Sequence, residues 1–105
     1  PWTVYPDVLP ALEHWHNAGI KLGVLSNFDS RLYLVLKSLD LADFFTSITI
    51  STEVGAAKPE AKIFIEGLAK HECAPEEAWH VGDSFHADYQ GANSVGIRGI
   101  WLKRT

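Results

Sequence analysis

The sequence predicts an α/β domain built on a parallel sheet, and two observations carry that expectation. Segments with apolar residues at helical spacing alternate along the chain with short, nearly continuous apolar runs. Each run then gives way abruptly to polar residues, the pattern of a buried strand reaching the edge of its sheet.

The first helix is expected in "DVLPALEHWHNAG", where Val8, Leu12 and Trp15 recur on one side with Ala11 and Ala18 beside them. Pro10 is tolerable only in the first turn, where its missing N–H has no intrahelical partner to lose, and Gly19 is placed to end the helix. "IKLGVL", Ile20 to Leu25, reads as a buried parallel strand followed by the polar "SNFDS". A second helix fits "SRLYLVLKSL", with Leu32, Val35, Leu36 and Leu39 on one stripe and Ser30 as the expected cap. A second strand, "TSITIS", leads into "TEVGAAKPEAKIF". There Pro59 suits the first turn of a helix that carries Ile63, Phe64 and Leu68 on one face, and Gly67 on the same face allows close packing. After the turn-like "CAPEE", "AWHV" reads as a strand, "ADYQGANSVG" as a short helix closed by Gly96, and "IRGIWL" as the last strand. With right-handed crossovers this order gives one parallel α/β sheet.

At 105 residues, 47% of them hydrophobic, the chain has the size and apolar content of one small globular domain, and no repeat or linker-like stretch divides it. Nine Lys and Arg against 13 Asp and Glu give a formal charge of −4, and no basic cluster exceeds the terminal "KRT". Nucleic acid is therefore not an expected partner, because binding a phosphate backbone needs a dense positive face. No apolar run reaches the roughly 18 residues of a membrane span, and the opening "PWTVYPDVLP" lacks a signal-peptide layout, so a soluble, cytoplasmic protein with no membrane partner is expected. Cys73, the only cysteine, excludes an intrachain disulfide or a multi-Cys zinc site and reads as an ordinary loop thiol.

In open parallel sheets, ligands collect outside the carboxyl ends of the strands. Ser26 and Asn27 follow the first strand with a hydroxyl and an amide that can donate to an oxyanion; the same residue types also favour turns. Lys58 lies at a helix start, where an ammonium group can face an anion beside the helix dipole. Asp83 and Asp88 sit five residues apart behind the third strand, and two carboxylates there repel one another unless a cation separates them, which suits Mg²⁺. Each feature alone is compatible with a cap or a surface charge; jointly they supply the equipment that holds a phosphoryl group and its metal.

The order of these motifs resembles the haloacid dehalogenase (HAD) superfamily over nearly the whole chain: "GVLSN" is similar to its second motif, "GAAKPEAKIF" to its third and "VGDSFHADYQGANSVGI" to its fourth. The resemblance implies a three-layer Rossmann-like core, residues 1–105 forming one partial domain that lacks the family's central N-terminal strand and its cap. It implies that Ser26, Asn27 and Lys58 bind the phosphoryl group, that Lys58 and Asp83 are catalytic, and that Asp83, with Asp88 in a direct or supporting role, binds Mg²⁺. The Gly82-Asp83-Ser84 sequence, in place of the Ser-Asn type of the metal-independent dehalogenases, implies a phosphatase acting on a small phosphorylated substrate, and "SNFDSRL" resembles the subfamily whose cap lies between the first and second motifs. The chain holds no Asp-x-Asp, the motif that supplies the family's nucleophile, and no Met, which fits a piece of a longer protein.

The resemblance implies that the strand carrying that nucleophile lies at the centre of the sheet, between the strands ending at Ser26 and near Val81. Its absence predicts either that the two halves close into a four-stranded sheet or that another segment, from upstream or from a second copy by self-association, fills the place. The competing expectation is a non-catalytic HAD-like module that binds or regulates a partner. A phospho-accepting receiver domain fits less, since it needs an acidic cluster on early strands. His14, His16, His71, His80 and His86 lack metal-ligand spacing and read as structural or surface residues, and Trp2, Trp15, Trp79 and Trp101 as packing aromatics, in the core or against a partner.

Overall fold

The computed structural model describes residues 3–104; the expectation for Trp2 lies outside them. Helix α1 (Val8–Asn17) places Pro10 in its first turn, as its missing N–H requires, and Gly19 at φ +81° lets the Ile20 N–H return to the Trp15 carbonyl at 3.0 Å. Strand β1 (Leu22–Ser26) and helix α2 (Arg31–Ser38) follow. Ser30 does not cap α2 through its side chain. Asp29 does that work instead, its Oδ1 accepting the Arg31 N–H at 3.0 Å, an Asx turn that the "FDS" segment also permits.

Strand β2 (Phe45–Ile50) pairs parallel with β1, Ser26 opposite Ile50, and runs into an unanticipated one-turn helix α3 (Ser51–Val54) that Gly55 stops at φ +80°. Helix α4 (Ala61–Lys70) begins later than expected, because Pro59 lies outside it, after a cis peptide bond in the preceding turn. Strand β3 (Trp79–Gly82) pairs parallel with β4 (Arg98–Trp101). Between them the expected short helix is a π-helix, Phe85–Gln90, continued by α5 (Gly91–Ser94), with Gly96 at φ +86° closing it. The Ser84 carbonyl accepts both the Asp88 N–H at 2.9 Å and the Tyr89 N–H at 3.2 Å, so the wider i→i+5 turn starts there.

Parallel alternation sorts the side chains into two cores. Leu22, Val24, Ile48 and Ile50 face α1 and α2, where Leu12, Leu32 and Leu36 are buried, while Leu25 faces α4. A Cβ at Gly67 would stand 2.6 Å from Leu25 Cδ1, so the glycine does let α4 approach β1 closely. The second core joins α4 to the other strand pair through Ile63, Phe64, Ala92 and Ile97. Trp15 packs against the first core, whereas Trp79, on the opposite face of β3 from His80 and Gly82, is 68% exposed with the Arg98 guanidinium 5.7 Å over its ring.

The sheet does not close across the middle. The strands form two separate two-stranded pairs, β1 with β2 and β3 with β4, and no ladder joins β1 to β3. Of the two outcomes anticipated for a missing central strand, direct closure into four strands is not the one observed. Among the described residues no helix is long and apolar enough to cross a membrane.

Phe64, 1% exposed, ties the two strand pairs together from α4, while its neighbour Ile65 is 56% exposed. Phe64→Ala is expected to lower stability by about 3–5 kcal/mol and Ile65→Ala by less than about 0.5 kcal/mol, read from urea denaturation of the two variants; equal losses would show that α4 does not bridge the cores.

Candidate active site

Ser26, Asn27 and Asp83 lie at the carboxyl ends of their strands, and one buried carboxylate, that of Asp88, gathers Lys58 and His80 beside them. Asp88, 4% exposed, sits inside the π-helix and turns back under β3. Its Oδ1 accepts from Lys58 Nζ at 2.6 Å and from His80 Nε2 at 2.9 Å, and its Oδ2 accepts the Ser84 N–H at 3.1 Å. An ionised carboxylate can only accept, so Nε2 of His80 carries the proton in that contact. Lys58 and His80 are themselves almost covered, their side chains 13% and 14% exposed.

Burial alone would raise the Asp88 pKa. The hydrogen bonds from His80 and Lys58, the Lys58 charge and the Ser84 N–H outweigh it and hold the carboxyl well below the usual carboxylate range. The backbone makes room for this cluster at Gly82, where a Cβ would lie 2.2 Å from Asp88 Cγ. The second glycine of the neighbourhood, Gly91, is packed by the Phe64 ring, 2.9 Å from where its Cβ would be. The same Phe64 ring meets His80 edge-on with centroids 5.2 Å apart, so the core that joins the strand pairs also fixes the imidazole.

The other half of the site hangs from β1. Asn27 Oδ1 accepts the Lys58 N–H at 2.7 Å and Asn27 Nδ2 donates to the Lys58 carbonyl at 3.1 Å. Ser26 is half-buried, and its hydroxyl has no hydrogen bond among the described residues. Asp83 is exposed; its carbonyl accepts from Trp101 Nε1 at 3.1 Å, and its carboxylate has no hydrogen bond or ion pair among the described residues. Thus the structure brings Asn27, Lys58 and Asp88 into one bonded chain and leaves Ser26 and Asp83 with free oxygens at its two ends.

The donor set suits Mg²⁺ only in part. Asp83 offers a hard, unengaged carboxylate and fits. Both oxygens of Asp88 are already occupied, and among the described residues no group of three His, Cys, Asp or Glu side chains gathers as a metal cage. The residues present therefore fit one arm of an Mg²⁺ site.

Sequence reasoning missed His80. It joins the ionic cluster, while His71 bonds Ser47, His86 bonds Gln90 at 3.1 Å and His16 packs on Phe44. The available signal was strand alternation: His80 and Gly82 stand two apart in β3 and share the face that Asp88 turns under.

A family model for the haloacid dehalogenase-like hydrolases matches residues 1–96. The chain belongs to that family. It is 41% identical over 96 residues to mouse (Mus musculus) haloacid dehalogenase-like hydrolase domain-containing protein 3, covering 91% of this chain and 38% of that protein. It is 40% identical over 101 residues to glyceraldehyde 3-phosphate phosphatase of Methanopyrus kandleri, covering 95% of this chain and 43% of the relative. A crystal structure of a HAD phosphatase from Thermococcus onnurineus superposes with a TM-score of 0.95 at 39% identity, covering 98% of this chain and 48% of that one. The chain thus spans less than half the length of these HAD relatives while reproducing their α/β fold.

Because the Asp88 pKa is depressed, its contribution to stability is fully present above the ordinary carboxylate value of 3.8 and is lost as pH falls from there through the folded value. Asp88→Asn is expected to cost on the order of 3 kcal/mol near neutral pH, since it leaves Lys58 and His80 without their shared partner, and the difference from wild type should shrink below about pH 4. Urea denaturation of both proteins across that range checks it; a difference independent of pH would remove the ionic account.

Proposed function

We propose that this chain is the C-terminal core of an Mg²⁺-dependent phosphomonoester phosphatase. The observation that carries the reading is the Lys58 ammonium, held by the buried carboxylate of Asp88, in a chain whose β1 ends in the unengaged hydroxyl of Ser26 and whose β3 is followed by the unengaged carboxylate of Asp83. Phosphatase-named relatives support it, and so does the Gly82-Asp83-Ser84 sequence at the place where metal-independent dehalogenases carry a Ser-Asn type motif.

In this reading Ser26 Oγ donates to a phosphoryl oxygen, and Lys58 balances the negative charge of the transferring group. Asp88 holds the Lys58 ammonium in place, and Asp83 supplies a metal oxygen ligand. When bound, Mg²⁺ supplies Lewis-acid stabilisation of the phosphoryl charge. The nucleophile is an aspartate of an Asp-x-Asp that residues 1–105 do not contain. A strand bearing it would fit between β1 and β3, pairing with both, and its carboxylate would attack phosphorus, release the alcohol and form an aspartyl-phosphate that water then cleaves. The substrate is a small phosphate monoester and the setting cytoplasmic. The absent Asp-x-Asp also motivates a second reading, a non-catalytic module that keeps the scaffold to bind a partner.

The test is hydrolysis of an aryl phosphate with Mg²⁺ or a chelator. The 105-residue chain alone should be silent. Adding a segment with Asp-x-Asp, in trans or as the complete protein, should give Mg²⁺-dependent turnover that Asp83→Asn lowers by at least about a hundredfold, the several kcal/mol that metal stabilisation supplies. A folded, complete protein without turnover would favour the non-catalytic module.

A further inference from the structure

Asn27 stands beside Ser26 at the end of β1, where an amide would be expected to donate to an oxyanion, yet its carboxamide is directed elsewhere. Its oxygen accepts the N–H of Lys58 at 2.7 Å and its nitrogen donates to the carbonyl of the same residue at 3.1 Å, across 31 positions of sequence. Two bonds to the two polar groups of one residue form a closed ring, which fixes that residue's position and its orientation together. We propose that Asn27 is a positioning residue: its carboxamide clamps the backbone of Lys58 and so aims the Lys58 ammonium at Asp88, in place of serving as a phosphoryl ligand.

The physical case rests on what Lys58 lacks without the clamp. Its side chain is a flexible four-carbon stem whose immobilisation costs rotamer entropy. Its backbone lies in the turn before Pro59, outside any helix or strand ladder. With Asn27 holding one end and Asp88 holding Nζ at 2.6 Å, the stem is pinned at both ends. The clamp is neutral, so it adds no charge that would compete with a bound anion for the ammonium group. The free hydroxyl of Ser26, and not Asn27, is then the donor that β1 offers to a phosphoryl oxygen.

The inference rests on Lys58 as the cation of the proposed phosphatase site, but its test needs neither turnover nor phosphate binding, so the two can fail separately. In the ¹⁵N-labelled 105-residue chain, hydrogen exchange at the Lys58 backbone amide and the ¹⁵Nζ signal of its ammonium group are followed in wild type, Asn27→Ala and Asn27→Asp. Asn27→Ala should speed Lys58 amide exchange about two- to tenfold, the loss of one ordinary hydrogen bond, and should broaden the ammonium signal that Asp88 keeps from rapid exchange. Asn27→Asp, which keeps the acceptor, should retain the amide protection and guards against a variant that merely unfolds. An unchanged ammonium signal in Asn27→Ala would overturn the assignment, as would a shift of the Asn27 side-chain amide in step with Ser26 when inorganic phosphate is added to wild type.

Discussion

The structure depends on one carboxylate. Asp88 is nearly buried, and an unpaired charge in that position would cost several kcal/mol. It is tolerable because three donors from three parts of the chain reach it: Lys58 from the turn before α4, His80 from β3 and the backbone of Ser84. Two of these carry or can carry positive charge, so the carboxylate is held ionised and the ammonium group is held in place by the same contact. Loss of Asp88 would leave Lys58 and His80 without their shared partner, and loss of either donor would leave the buried carboxylate with less compensation, so the cluster behaves as a unit.

That unit matters because no strand ladder joins the two strand pairs. Parallel sheets are normally continuous and covered on both faces. Here β1 and β3 each pair on one side, and links between the halves include α4, through Phe64 and Gly67, the Asn27–Lys58–Asp88 chain at the carboxyl edge, and the Arg104 guanidinium that follows β4 and reaches Asp7 and the Tyr5 ring ahead of α1. The first is an apolar link beneath the strands, and the second is a polar link at the edge where ligands of such sheets bind. Together they hold the polar residues of the two strand ends in a single arrangement although no ladder connects the strands themselves.

Much of this was legible in the sequence. Helix spacing and apolar runs located the strands and the longer helices to within a few residues, because burial on one face imposes the periodicity directly, whereas the one-turn α3 was not anticipated. Gly67 was legible for the same reason, as a gap on an otherwise apolar face. What escaped depends on backbone detail that patterns do not encode. Ser30 and Asp29 are both good capping residues, and which of them reaches the first N–H is decided by the local turn. Pro59 obeys the rule for a helix start and still lies outside the helix, in a turn whose cis bond no spacing argument reveals. His80 was missed because alternation shows only that it shares a face with Gly82; its role follows only once the π-helix turns Asp88 beneath β3.

Two aspartates five residues apart acquire opposite characters from their surroundings alone. Asp83 remains in solvent, with its carboxylate oxygens unengaged, and an exposed carboxylate binds a cation with little desolvation cost of its own. Asp88 is taken out of water and both of its oxygens accept from protein donors, which makes it an organiser of Lys58. The π-helix sets this difference, because a wider turn beginning at Ser84 swings Asp88 inward while leaving Asp83 at the strand end. Like charges that would repel side by side are thereby assigned to separate environments, one open to solvent and the other facing the protein.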